Sequence, residues 1–408
     1  MLILCPVKEQ NPFQSPYLCL KKKRFFMRRW IRFLILAFVG WGWGACVGGG
    51  ADRSDREVDS TWVPLYETQY AERFAVLGDP TSGETVLRVL NPWQGAEGTT
   101  FDYRLVEDTT ARLRTNEIRW PIRSAVCLSS SHVAFLDAVG AVGTVRGVSG
   151  RDFITNPAVH RAEVREVGYD NQLDYETLVA LQPDVVFLYG LTGANSAAET
   201  LNRLGIPVIY VADYVENTPL GRAEWIIPFG LLVGRLDEAV GRFMEIEENY
   251  KAIGEQVALS TTEAKRPAVM LNAPYRDVWY LPGDRNYLVR LLDDAGGDYL
   301  GRGDDSDRSR PVSAEEALLL LVQADYWLNP GQATSLAQLR ADNRRFATLP
   351  VVRRGRVYNN NARTTAQGGS DFWESGAVRP DVVLADLVRI LHPELLPNHD
   401  LYYFRALE

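Results

Sequence analysis

Four cysteines and four histidines are few for 408 residues. Cys5, Cys19 and Cys46 all fall near the N-terminus, so Cys127 alone remains beyond them and no internal disulfide can form there. Cys127 sits in the apolar run 125–128 and reads as a small core residue. His132 follows three serines, His160 lies in a polar stretch, and His392 and His399 stand near the C-terminus. They form no converging set with carboxylates, so no resident metal or cofactor is expected. There is no Gly-x-Ser-x-Gly elbow, and Gly190-x-x-Gly193 is short of the dinucleotide fingerprint. A calcium-loop spacing through Asp305, Asp307, Ser309 and Glu316 fails because Arg310 stands where glycine is required. The apolar run 33–45 has thirteen residues, too short to span a bilayer.

Hydrophobic residues make up 46% of the chain, and ten are tryptophan. That is enough for a large core and excludes wholesale disorder. The length suits two domains. Charge is divided unevenly: residues 1–45 hold eight Lys/Arg against one Glu, a balance of +7, so the remainder carries −15 of the net −8. An acidic surface of this kind argues against nucleic acid as a partner.

The basic residues Lys21, Lys22, Lys23, Arg24, Arg28, Arg29 and Arg32 precede the apolar run directly, which is the layout of an export signal. Met27 is the expected start of translation. Gly44-Ala45-Cys46 resembles a bacterial lipobox, with Trp43 where an aliphatic residue is usual. Cys46 is the expected lipidation site, which would anchor an exported protein to a membrane. Residues 47–60 read as a polar tether.

Residues 61–110 look β-rich, with alternating patterns at 86–90 and 101–106 separated by the turn signals of 91–100. From about residue 120 short apolar runs alternate with helical patterns, and the alternation returns from about 267. Near-continuous Val/Ile/Leu strands of this kind belong to parallel α/β sheets. Residues 181–187 (LQPDVVF) are echoed by 322–328 (VQADYWL), each a helix end, a turn with Asp, then a strand. Between them, Leu236, Val240, Phe243, Ile246, Tyr250, Ile253 and Val257 recur at helical spacing within 231–259. The expectation is α/β: two Rossmann-like lobes, 61–230 (with the β-rich leader) and 260–408, joined by one long rigid helix over 231–259.

This order, with residues 178–189 (LVALQPDVVFLY), 216–225 (ENTPLGRAEW), 292–299 (LDDAGGDY), 368–374 (GGSDFWE) and 392–397 (HPELLP), resembles the class III solute-binding proteins of ABC importers. The resemblance implies an iron–siderophore, haem or cobalamin-type ligand, itself carrying iron or cobalt, held between the lobes. It implies a permease dimer as partner and a monomeric, non-enzymatic protein. One glutamate per lobe should dock with permease arginines. Glu315, behind the N-cap Ser313, falls where the second-lobe residue is expected; for the first lobe, Glu224 and Glu199 are the candidates, Glu224 slightly preferred. Ligand contacts are expected from Ser129, Ser130, Ser131, His132, Tyr169, Tyr189 and Tyr214 in the first lobe. In the second they are Trp279, Tyr280, Tyr287, Trp327, Asn329 and Trp373. Rival readings are a secreted α/β hydrolytic enzyme, which leaves the long helix without a purpose, and a structural surface lipoprotein.

Overall fold

The computed structural model describes residues 62–107, 113–169, 172–190, 196–261, 266–276 and 278–408. The export segment, Cys46 and the tether lie outside the described residues.

The leader forms a five-stranded sheet in chain order: Val63–Tyr66, Phe74–Gly78, Thr85–Leu90, Thr100–Glu107 and Glu117–Trp120. All its pairings are antiparallel except the last. Register is reinforced where Arg88 stands opposite Asp102 and donates twice to its carboxylate, at 2.7 and 2.8 Å.

The first lobe is a parallel sheet with spatial order Val208–Tyr210, Val185–Leu188, Ala125–Cys127, Val145–Val148, Arg165–Glu166. All its strands but the edge strand Arg165–Glu166, which is exposed, are buried nearly throughout, as continuous apolar runs require. The second lobe's sheet runs Asp298–Tyr299, Ala268–Leu271, Tyr326–Leu328, Val357–Asn359, Arg405–Ala406, parallel except for the last strand. Helices cover both of its faces: Val269 and Leu271 join one apolar cluster and Met270 the other. A three-stranded sheet of Pro274–Tyr275, Val278–Pro282 and Ser309–Ser313 follows the strand Ala268–Leu271.

The sequence echo is a structural equivalence. The Asp184 carboxylate accepts from the backbone N–H of Ser124 at 2.9 Å, and that of Asp325 accepts from Ala268 N–H at 3.0 Å. Each aspartate thus ties the start of its strand to the neighbouring strand, one per lobe.

The connecting helix is Leu236–Ser260, 25 residues, or about 37 Å. It starts later than 231 because Leu231 belongs to a separate helix, Ile226–Leu232, and the chain turns at Gly234 with φ 72°. The two helices touch so closely that a Cβ on Gly230 would lie 2.2 Å from Ala239 Cβ. Ala239, Phe243 and Ile246 pack into the first lobe's core, whereas Tyr250 and Val257 pack into the second's. One apolar stripe therefore serves both lobes in succession.

Candidate ligand cleft between the lobes

Strand order locates the site. In an open parallel sheet, ligands bind beyond the carboxyl ends of strands where the winding direction reverses. In the first lobe that reversal lies between Ala125–Cys127 and Val185–Leu188; in the second it lies between Ala268–Leu271 and Tyr326–Leu328. The loops concerned begin at Leu128 and Tyr189, and at Asn272 and Asn329. Both asparagines are left-handed, φ 65° and 57°, a conformation asparagine tolerates better than most residues and one that turns the chain sharply at the strand end.

On the first-lobe side, Ser129 caps the helix Ser130–Ala138 and accepts from Ser131 N–H. Ser130 is half-buried, but Ser131 is buried, and its hydroxyl pairs with that of Ser129 at 3.0 Å. His132 is 0% exposed, between the rings of Phe187 and Phe229 at 6.0 and 6.2 Å. Burial pushes its pKa down to about 4, so it is a neutral core residue at neutral pH. The expectation that Ser131 and His132 touch ligand is therefore corrected: the first turn of their helix points them into the lobe. Tyr189 and Tyr214 are half-buried and meet edge to face, 6.5 Å apart, and the Tyr214 hydroxyl donates to the Gly190 carbonyl. Tyr169 is exposed beside Gly150.

On the second-lobe side, Trp279 and Trp327 are both 0% exposed, which also corrects their expected role. Their indole N–H groups donate to the carbonyls of Leu271 at 2.9 Å and Asn272 at 2.6 Å. They are pillars under the strand end, each indole donating to a carbonyl there. Tyr287 is half-buried with its hydroxyl out of solvent, and the Arg222 guanidinium lies over its ring at 5.0 Å. It belongs to the joint between the lobes, and its ring face is covered. Tyr280, Trp373 and half-buried Asn329 keep accessible surface.

Contacts across the lobes involve residues that sequence reasoning missed. Arg222, whose guanidinium covers the Tyr287 ring of the second lobe, is held by Asp213 of its own lobe at 3.1 Å, both buried. Glu374 of the second lobe accepts from the backbone N–H groups of Thr155 at 2.7 Å and Asn156 at 2.8 Å in the first. The neighbouring Asp371 accepts from the Thr155 hydroxyl at 3.2 Å while paired with Arg363 at 2.8 Å. Glu374 is 2% exposed, and burial raises its pKa to about 7 despite the two amides that favour its charge. The sequence signal was two acids inside an aromatic run, Asp371-Phe372-Trp373-Glu374.

The preferred first-lobe docking residue is also corrected. Glu224 is 0% exposed. Its carboxylate accepts from the Tyr66 hydroxyl at 2.7 Å and from the N–H groups of Gln69, Tyr70 and Ala71 at 2.8, 2.8 and 2.7 Å. A carboxylate so occupied has no surface to offer a partner. Glu199, in the first turn of Ser196–Arg203, is exposed. Glu315 is exposed at the start of Ala314–Leu321 and pairs with Arg345 at 3.1 Å, a contact that lowers its pKa.

Residues 125–364 match the family model described as periplasmic binding protein. The chain belongs to that family. The match begins at the first strand of the first lobe and runs past the strand Val357–Asn359, leaving out the leader sheet. The periplasmic binding protein is 25% identical over 300 residues to an uncharacterized lipoprotein of Methanocaldococcus jannaschii, covering 70% of this chain and 69% of that one. Among solved structures, it resembles a periplasmic heme binding protein from Pseudomonas aeruginosa with TM-score 0.53 and 18% identity, covering 70% of this chain and 98% of that one. The molybdate-binding periplasmic protein MolA of Haemophilus influenzae gives TM-score 0.53 at 16% identity, over 70% of this chain and 90% of that one. Likeness at this identity shows the shared fold. The protein is thus a class III, two-lobed α/β solute-binding protein of the ABC transporter type.

Proposed function

We propose that this periplasmic binding protein captures a metal chelate of the iron–siderophore, haem or cobalamin type between its lobes and delivers it to the permease dimer of an ABC importer. The observation that carries the reading is the presence in each lobe of a topological switch point with contacts joining the lobes across the cleft. The rings of Tyr189, Tyr214, Tyr280 and Trp373 favour a broad chelate over a bare oxyanion, because an aromatic face gains most from a flat apolar surface. Proteins of this fold include a heme binder and a molybdate binder, so the ring-rich lining is what argues between them. The chain acts outside the cytoplasm as a monomer, held to the membrane by lipid on Cys46, in keeping with its lipoprotein relatives.

The test is native mass spectrometry of protein purified from its own host, followed by titration of the stripped protein with haemin, cyanocobalamin and ferrichrome. A co-purified chelate, or micromolar or tighter binding of one probe, supports the reading. Binding of molybdate with none of the three would overturn the ligand class.

For docking, Glu315 and Glu199 remain as candidates, one on each lobe and both exposed. The surface pair of Glu315 with Arg345 is readily exchanged for a permease arginine, because both side chains are mostly in water.

A further inference from the structure

The leader sheet lies outside the family match, yet it is built into the joint of the molecule. Segment 66–73 is held by two buried carboxylates of the first lobe. Glu224 takes four donors from it, and Glu216 accepts from the N–H groups of Glu72 and Arg73, both at 3.0 Å, as well as from the Trp225 indole. The Tyr70 hydroxyl donates to Glu247 of the long helix at 2.6 Å. The stretch 216–225, singled out in the sequence, is the socket for the leader.

With its base fixed in this way, the leader extends a loop, 91–99, toward the cleft. Asn91 and Thr99 close its neck with two hydrogen bonds, Asn91 N–H to the Thr99 carbonyl at 2.8 Å and Thr99 N–H to the Asn91 side chain at 3.1 Å. The indole of Trp93 packs on Tyr210 at 5.6 Å and Phe101 at 6.2 Å. It also lies directly on Gly190, where an added Cβ would stand 2.7 Å from Trp93 Cε3. Gly190 is two residues beyond the strand Val185–Leu188, at the first-lobe switch point, and its carbonyl accepts from Tyr214. At the loop's tip, a Cβ on Gly95 would lie 2.9 Å from Arg308 Nη2 of the second lobe. The loop therefore reaches from the first-lobe switch point to the second lobe.

We propose that Trp93 is a specificity-determining residue: with its indole seated on Gly190, it forms a third wall of the ligand cleft and sets how bulky a ligand the cleft admits. This rests on the reading of the interlobe cleft as the ligand site. Two walls belong to the lobes themselves; the third is fixed to the first lobe by the carboxylate socket.

The test has a ligand-free arm and a ligand arm on the full chain. Hydroxyl-radical footprinting of Trp93→Ala should show modification of Tyr189 and Tyr214 rising severalfold over wild type, with exposed Tyr402 unchanged as control. Gly190→Ala, which displaces the indole and leaves it in the chain, should give the same rise and decides the matter if Trp93→Ala fails to fold. Unchanged Tyr189 and Tyr214 would overturn the wall. In the ligand arm, the ratio of cyanocobalamin to haemin affinity should shift at least fivefold toward cyanocobalamin in Trp93→Ala, since an indole's volume is vacated. An unchanged ratio for probes that bind overturns the specificity role. If haemin, cyanocobalamin and ferrichrome all fail to bind wild type, the ligand class of the previous section fails; in that case, as when only ferrichrome binds, the footprint alone judges the wall.

Discussion

Buried carboxylates at single positions hold this molecule's pieces together. Glu224 is the strongest case, with three backbone amides and a hydroxyl converging on it. Removing the acceptor leaves those donors without a partner, and each unsatisfied buried group costs about 1–3 kcal/mol. Glu224→Ala should therefore lose at least ~3 kcal/mol in urea unfolding, and the leader should become protease-sensitive; a loss within error of zero would mean the socket contributes nothing. Glu216 and Glu374 add a pH dependence, since burial raises both to about 7. A folded-state pKa above the unfolded one means the native state holds a proton the unfolded chain has released. The stabilisation is fully present below the unfolded carboxylate range and is lost as pH rises through 7. On this account the thermal midpoint should fall between pH 5 and pH 8, and Glu374→Gln should flatten the fall. A midpoint that rises over that window in wild type and mutant alike would contradict it.

Among the elements, the helix Leu236–Ser260 carries the architecture. Its N-terminal half is bound by Phe243 and Ile246 to one core and its C-terminal half by Tyr250 and Val257 to the other. A continuous helix resists bending, because bending breaks its backbone hydrogen bonds. The two lobes should accordingly close only slightly on ligand, as seen by small-angle scattering. Glu248 is exposed near the middle of this helix, so Glu248→Pro removes backbone bonding without touching either core. It should cost ~3 kcal/mol and broaden the distribution of lobe separations; an unaltered scattering curve would show that the lobe contacts, with Glu374 among them, fix the geometry by themselves.

For the whole molecule, the consequence is a pair of surface points at constant separation. On the proposed function a dimeric permease would recognise such a pair by charge, and carboxylates suit paired arginines because the fork geometry matches. Glu315→Arg should sharply reduce uptake in reconstituted vesicles and leave ligand affinity unchanged, with Glu199→Arg doing the same from the first lobe. If Glu315→Arg weakens ligand binding as much as uptake, the residue belongs to the cleft and docking lies elsewhere. The anchor is tested separately: Cys46→Ala should release the protein from membranes with no acyl mass, and retention on the membrane would argue against lipid at that cysteine.

The alternation of apolar runs with helical patterns, the seven-turn stripe and the repeated Asp turn were legible in the chain because each is a short-range periodicity. The placing of Ser130, Tyr189 and Asn329 just beyond apolar strands was also within reach, because the end of an apolar run marks the end of its strand. What the sequence could not settle was which rings and charges face water. Glu224 reads as a helix-end acid, yet it is buried by donors more than 150 positions away. Trp279 and Trp327 read as cleft rings, yet carbonyls of the adjoining strand end turn them into pillars. Burial of a polar or amphipathic side chain depends on partners delivered by the fold, and local pattern carries no record of them. The third wall at Trp93 was hidden for the same reason: a turn signal marks where the chain bends, and only tertiary packing decides what the bend covers.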